Sequence, residues 1–320
     1  HEAVHGGYCL KKRQPTNLPA SIRQRLLNLS RERGEDFNLT LTRYGTERLL
    51  YRLSQSARAD QFVLKGALLL SLWTDRLQRP TRDIDLLGYG DSSQEALTQL
   101  FQDLCATDVP ADGLTFHPDT VQVTEIREAQ EYGGQRVQMT ATLGSARIHL
   151  QVDIGFGDVI TPSAVWVDYP SLLGLPSPRL RAYPKETVIA EKLEAMVVLG
   201  MANSRMKDFY DVWMMSRELE FDGRTLARAI QSTFQHRRSE LPHTAPTAFT
   251  EEFAGNPDKG TQWNAFLSRN QLDVGGMGLT QIIRDIHLFL MPPMISTANE
   301  QEFEEEWLAR GPWIAKRPTT

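Results

Sequence analysis

Cysteine is nearly absent: the 320-residue chain holds only Cys9 and Cys105. Two thiols this far apart are too few for a disulfide framework or a cysteine-rich zinc site, and both read as packing residues. No apolar run approaches the ~20 residues that a membrane span needs, and the N-terminus lacks the basic-then-apolar pattern of a secretory signal. There is no internal repeat and no long low-complexity segment. These absences point to a soluble, cytoplasmic globular protein with no membrane partner. His1-Glu2-Ala3-Val4-His5 spells HExxH, but that motif works on a buried helix that aligns both imidazoles, which the start of a chain does not supply.

What is present is a chain 41% apolar, long enough to bury a substantial core in one large domain or two modest ones. Its net charge of -5 conceals an asymmetry. Residues 1–82 hold 15 Lys and Arg against 7 Asp and Glu, and the remainder holds 20 against 33. A basic quarter that ends at a pair of carboxylates suits a polyanion on one side and a cation on the other. The plainer alternative is that these arginines are solvated helix faces.

Hydrophobic spacing predicts two N-terminal helices over 22–29 and 37–53, separated by Gly34, with Arg23, Arg25, Arg43, Arg48 and Arg52 partly turned to a ligand. A short strand at 62–64 is stopped by Gly66 and followed by a buried helix over 67–73. After Pro80 a strand resumes at 83–87. A helix over 93–104 and strands over 121–126, 137–143 and 147–154 follow, with Gly133-Gly134 and Gly144-Ser145 as hairpin turns. A Pro-rich connection spans 162–184. Beyond it, helices are expected over 185–199, 206–219, 223–234 and 280–290, and in the acidic stretch 299–308. The fold class is α/β (α+β): a mixed sheet with helices on one side and a largely helical C-terminal region.

The chemistry gathers in Arg79-Pro80-Thr81-Arg82-Asp83-Ile84-Asp85. On a strand, Asp83 and Asp85 share one face with Cβ atoms about 6 to 7 Å apart, and two such carboxylates repel unless a cation lies between them. Magnesium takes oxygen ligands of this kind together with substrate phosphates. Asp153, on another alternating strand, is a natural third acid, as metal ligand or general base, if its strand lies beside the first. Gly66 lets backbone N–H groups approach a phosphate, Lys65 precedes it, and the helix after it offers its positive end. Arg79 and Arg82 suit phosphate oxygens, and Thr81 carries a hydroxyl that can bond one. A DxD alone is a short pattern, equally at home on a solvated strand edge. Lys192 and Asp208, on successive predicted helices, form either a site pair or a surface ion pair.

Taken together, Phe62-Val63-Leu64-Lys65-Gly66-Ala67, Arg79 to Leu86, Val152-Asp153-Ile154, Glu191-Lys192-Leu193 and Arg205 to Asp211 resemble the nucleotidyltransferases of the AbiEii/AbiGii toxin family, in the family's order over about residues 20–220. That family is a branch of the DNA polymerase β-like superfamily. The resemblance implies a polymerase β-like nucleotidyltransferase core and a toxin whose antitoxin, of AbiEi type, is encoded next door. It also implies a reaction that uses NTP with Mg²⁺ or Mn²⁺, in some relatives on the 3′ end of tRNA. By motif, Asp83 and Asp85 correspond to the metal pair, Lys192 to the helical lysine and Asp208 to the aspartate of the fourth motif, with Asp211 a second candidate there. Two departures stand out: Ala67 replaces the superfamily's usual Ser or Gly, and this toxin branch does not always use a third acid such as Asp153.

The expected division is 1–60 as basic helices, 61–175 as the catalytic core, and 176–320 as a helical region contributing Lys192 and Asp208. The leading expectation is nucleotidyl transfer to tRNA or another RNA, blocking translation and growth. Transfer to a protein or small molecule is the second expectation, and a nucleotide- or RNA-binding module without transfer is the third.

Overall fold

The computed structural model describes residues 17–74, 79–126 and 133–316. Cys9 and the His1–His5 motif lie outside the described residues. In chain order the elements are α1 (Leu18–Arg33), α2 (Phe37–Gln55), β1 (Phe62–Lys65), α3 (Leu70–Trp73), β2 (Asp83–Gly88), α4 (Gln94–Ala106), β3 (Leu114–Ile126), β4 (Gly134–Leu143), β5 (Ala146–Phe156), β6 (Val165–Asp168) and β7 (Arg179–Ala182). They continue as α5 (Lys185–Leu199), α6 (Met206–Glu218), β8 (Phe221–Asp222), α7 (Gly223–His236), α8 (Glu251–Ala254), α9 (Pro257–Asn270), α10 (Leu279–Ala298), β9 (Glu305–Trp307) and β10 (Trp313–Ala315).

Seven strands form one mixed sheet in the order β3-β4-β5-β2-β1-β7-β6, of the α/β class that the sequence predicts. Strict alternation builds its two faces. Val137, Met139, Ala141, Ile148, Leu150, Val152, Ile154, Ile84 and Leu86 are buried on one side, where α1, α2 and α4 pack. The residues between them, from Arg136 to Thr142 on β4 and from Arg147 to Asp153 on β5, take the other side. Gly45 lets α2 approach closely, since a Cβ there would come within 3.0 Å of Ile148. Helix starts carry side-chain caps: Asn17, Asp36, Ser93 and Asp222 each accept from a following backbone N–H.

Four expectations need correction. The 162–184 connection contains β6 and β7, and β7 pairs in parallel with β1, so this segment completes the sheet. Proline spacing there limits strand length to four residues without preventing pairing. The stretch 299–308 is not a helix: β9 pairs with β8 and β10 in a three-stranded sheet. Like charges at Glu302, Glu304, Glu305 and Glu306 disfavour a helix, while Phe303 and Trp307 are buried and the Trp307 indole donates to the Ser216 carbonyl at 2.6 Å. The predicted helix over 67–73 opens as a 3-10 turn over Gly66–Leu69, so only one short turn of α-helix, with little macrodipole, follows Gly66.

The fourth correction concerns the basic N-terminal helices. Arg48 and Arg52 are buried. Arg52 donates to Asp112 at 2.7 Å, and Arg48 donates to Glu47 at 3.2 Å and to the Pro176 carbonyl at 2.9 Å. Glu47 in turn accepts from the Ser171 hydroxyl and the Leu172 N–H. Two arginines balanced by two acids tie α2 to loops far away in sequence. Arg43 pairs with Glu35, Arg25 donates to the Leu173 carbonyl and Arg23 stacks over Phe37. Much of the basic quarter is therefore structural.

Candidate functional site

The site is assembled by strand register. β2 lies between β1 and β5, antiparallel to the first and parallel to the second. Lys65 stands opposite Asp85, Asp85 beside Asp153, and Asp153 opposite Arg136, giving one cross-strand row over four strands in which two adjacent acids are flanked by a cation on each side. Asp83 falls two residues earlier on the same face of β2, beside Gln151. The structure thus brings Asp83, Asp85 and Asp153 together, as the sequence reading required of adjacent strands.

Gly66 holds a positive φ of 75°, and a Cβ at this position would overlap the Asp85 carboxylate. Only glycine lets that carboxylate lie over the turn. Burial raises Asp85 above the usual carboxylate range in spite of Lys65 and Lys207, and Asp153 and Asp83 push the same way. Burial and the Asp153 carboxylate likewise raise Asp83. The surroundings resist two negative charges in this place, and a cation between the carboxylates would relieve that conflict. Asp153 differs: both its oxygens accept from Arg136, at 2.8 and 2.7 Å. Among the described residues no group of three or more His, Cys, Asp or Glu side chains is disposed to hold a metal ion together, so the donor set available in this arrangement is the pair Asp83 and Asp85.

A second group rests on α5 and α6. The Lys192 ammonium donates to Asp208 at 2.7 Å and to Asp211 at 2.9 Å. Arg79 reaches across from before β2 and grips Asp211 through two bonds, at 2.7 and 2.9 Å. Arg205 pairs with Asp208 at 2.6 Å. Burial alone would raise Asp211, but Lys192 and Arg79 overcome it and hold that carboxyl at about 2. Asp208 is lowered in the same manner by Lys192 and Arg205 against its burial. Three cations against two carboxylates leave this cluster one positive charge. Arg79 also feels Asp85, which places the cluster within electrostatic reach of the strand acids. Thr81 is half-buried between Arg79 and the exposed Arg82.

The third group was not foreseen. The Lys65 ammonium lies against Gly155 and donates to Asp158 at 2.9 Å. Burial would lower Lys65, but Glu191, Asp158 and Asp85 together hold it above its ordinary value. Arg237, just past α7, donates to Glu194 at 2.9 Å and lies 3.4 Å from Asp158 and 3.5 Å from Glu191. Lys65, Asp85, Asp153, Asp158, Arg237 and Ser239 line a cavity of about 300 Å³, with Ile126, Phe156 and Val198 supplying an apolar wall. Lys207, exposed on α6, faces Asp83 and Asp85. Lys207 stands inside a motif that the sequence reading quotes, but a lone lysine on a helix carries no signal of its own. Arg136 was within reach: counting back from the two-residue Gly144-Ser145 turn sets it opposite Asp153.

Comparison with known proteins places this geometry. No curated protein matches the chain. Among solved structures, JHP933 from Helicobacter pylori is 14% identical with a TM-score of 0.45, covering 79% of this chain and 90% of that one. A second H. pylori structure, described as a candidate nucleotidyltransferase, has the same identity and TM-score, with coverages of 80% and 94%. The sequence profile described as "Nucleotidyl transferase AbiEii toxin, Type IV TA system" matches residues 48–275, well over half the chain. The chain belongs to the AbiEii family of nucleotidyltransferase toxins of type IV toxin-antitoxin systems.

Proposed function

We propose that the chain transfers a nucleotidyl group from an NTP to an RNA acceptor, the 3′ end of tRNA, and that this arrests translation and growth. The observation that carries the reading is the Asp83–Asp85 pair, two carboxylates on one sheet face held above their ordinary range by burial and by neighbouring acids. Such a pair fits a hard divalent cation, Mg²⁺ or Mn²⁺, which when bound neutralises phosphate charge and polarises the α-phosphoryl group. Family membership supports the transfer chemistry and an antitoxin partner, which we read as one of AbiEi type.

This chain's own residues do the rest. Lys192, fixed by Asp208 and Asp211, together with Arg79 and Lys207 provides the positive field that a triphosphate needs. Lys65 and the Gly66 turn hold Asp85 in place. Asp153, oriented by Arg136, takes the hydroxyl proton or passes it to water. The acceptor oxygen bonds to the α-phosphorus, the bond to the β-phosphate breaks, and pyrophosphate leaves.

The test is to incubate the protein and Mg²⁺ with each of the four labelled NTPs and purified tRNAs. Label should appear on RNA and vanish with Asp83→Ala and with Lys192→Ala. Unlabelled RNA in the presence of folded wild-type protein would defeat the reading.

A further inference from the structure

The acids of β2 stand between two openings. On the side of Lys65 and Arg237 is the 300 Å³ cavity that Asp85 and Asp153 enter. A larger groove, about 850 Å³, begins at Arg82 and Asp83 and runs over β3, β4 and β5 toward the first turns of α2. Its floor follows from register. Gln122, Gln138 and Gln151 form one cross-strand row whose next member is Asp83, and the Gln138 amide donates to Gln151 at 3.2 Å. One step nearer the hairpin turn stand Thr140 and His149, and then Arg147. β2 begins opposite Gln151, so the stretch Arg147–Leu150 has a strand neighbour on one side only among the described residues. The groove therefore also reaches unshared backbone groups of β5.

Three features choose the occupant. The floor is a field of uncharged donors and acceptors, and a carboxamide offers both, which matches the edges of nucleobases. Arginines stand at its ends, Arg82 beside the acids and Arg147 near the hairpin, suited to phosphate oxygens, while the exposed Asp119 on β3 is the one further carboxylate in the lining besides Asp83. The apolar residues of the lining, Leu41, Met139, Ile148 and Leu150, are buried, so the groove exposes no large apolar anchor of the kind on which a protein partner relies. Asp83 bounds its lining at one end, so a chain whose terminus lies there meets the reacting centre.

We infer that this groove is the acceptor site and holds the last nucleotides of a single-stranded RNA. The bases meet Gln122, Gln138 and Gln151, the phosphates meet Arg82 and Arg147, and the terminal hydroxyl lies at Asp83 and Asp85. The NTP, its triphosphate in the field of Lys192, Arg79 and Lys207, is left the Asp85 side of the pair. Donor and acceptor thus approach the α-phosphorus from two sides, as in-line displacement requires. This assignment rests on the transfer reading above and adds where the acceptor binds and through which residues.

The experiment uses a 5′-fluorescein single-stranded 12-nucleotide RNA with a free 3′ hydroxyl, read by anisotropy, and labelled NTP transfer to tRNA. Calorimetry of ATP with Mg²⁺ runs in parallel. The variants are Arg147→Glu and the double variant Gln138→Ala/Gln151→Ala, all exposed or half-exposed positions whose folding is checked by thermal unfolding. The expected result is a rise of at least about tenfold in the oligonucleotide Kd and in KM for tRNA, with ATP affinity held within about twofold. Unchanged RNA binding in both variants overturns the assignment, as does transfer of label to a protein in place of RNA. If the wild type binds ATP but labels no RNA, the transfer reading fails by itself. The anisotropy series then still decides the groove: lost RNA binding in the variants upholds it, and retained binding overturns it.

Discussion

Replacing Gly66 with alanine tests the geometry of the site with one methyl group. The residue sits at φ 75°, a conformation that costs a non-glycine residue about 1 to 2 kcal/mol. For a chain of this size that is a fall of about 2 to 4 °C in Tm. The added Cβ also overlaps the Asp85 carboxylate, which must swing away from Lys65 and from Asp83. A displacement near 1 Å at a reacting centre costs on the order of 100-fold in rate. Gly144→Ala is the matched control: its φ is 60°, but its nearest foreign atom is Pro19 Cβ at 3.7 Å. That variant bears the backbone cost without moving a site residue. Thermal unfolding and labelled-NTP transfer, measured on both, should show similar Tm losses and activity lost in Gly66→Ala alone. Transfer retained within a few-fold by Gly66→Ala, or lost equally in both, refutes the claim that this glycine exists to seat Asp85.

Other outcomes follow from the ion pairs. Asp211 is held at about 2 by Lys192 and Arg79, below its ordinary 3.8, so its ionised form stabilises the fold fully above about pH 4, and the contribution is lost as pH falls through about 2. The difference amounts to about 2 kcal/mol, and urea unfolding at pH 5, 4 and 3 should fall less steeply in Asp211→Asn than in the wild type. Arg136→Met removes a pair that is partly solvent-exposed, so stability should change by no more than about 1 kcal/mol while kcat drops at least about tenfold; an unchanged kcat would reduce the pair to a surface contact. Arg48→Met leaves Glu47 buried without its cation, while Asp112 keeps Arg52, and should cost about 3 to 5 kcal/mol in urea unfolding; wild-type stability would contradict a structural role.

Legibility in the sequence followed the range of the interaction. Alternation located β2, β4 and β5 within a few residues, and hydrophobic spacing located most of the longer helices, because both signals are local. The pairing of β2 with β5 was different: parallel neighbours far apart in the chain leave no local mark, so Asp153 could be named as a candidate while its place beside Asp85 could not. The same reason hid Arg48 and Arg52, whose partners Asp112 and Pro176 are 60 or more residues away. A charged residue looks solvent-exposed until its partner is known. Asp158 and Arg237 escaped notice likewise, lying just past the ends of regular elements. The reading of 299–308 as a helix rested on acidic composition; the four-residue spacing of Phe303 and Trp307 suits a helix face as well as a strand face, so the pairing of β9 with β8 and β10 left no local mark.

The hairpin of β4 and β5 carries a historical constraint. Its outward residues include the glutamine row, Arg136 and Asp153, and its inward ones form the core. A single residue inserted within either strand would exchange the two sets, sending glutamines into the interior and valines out. Lineages descended from this chain can therefore vary in length at Gly144-Ser145, whereas inside the strands they can change residues but not their number. Indels at the turn beside strands of fixed length are the trace that such a site leaves among its descendants.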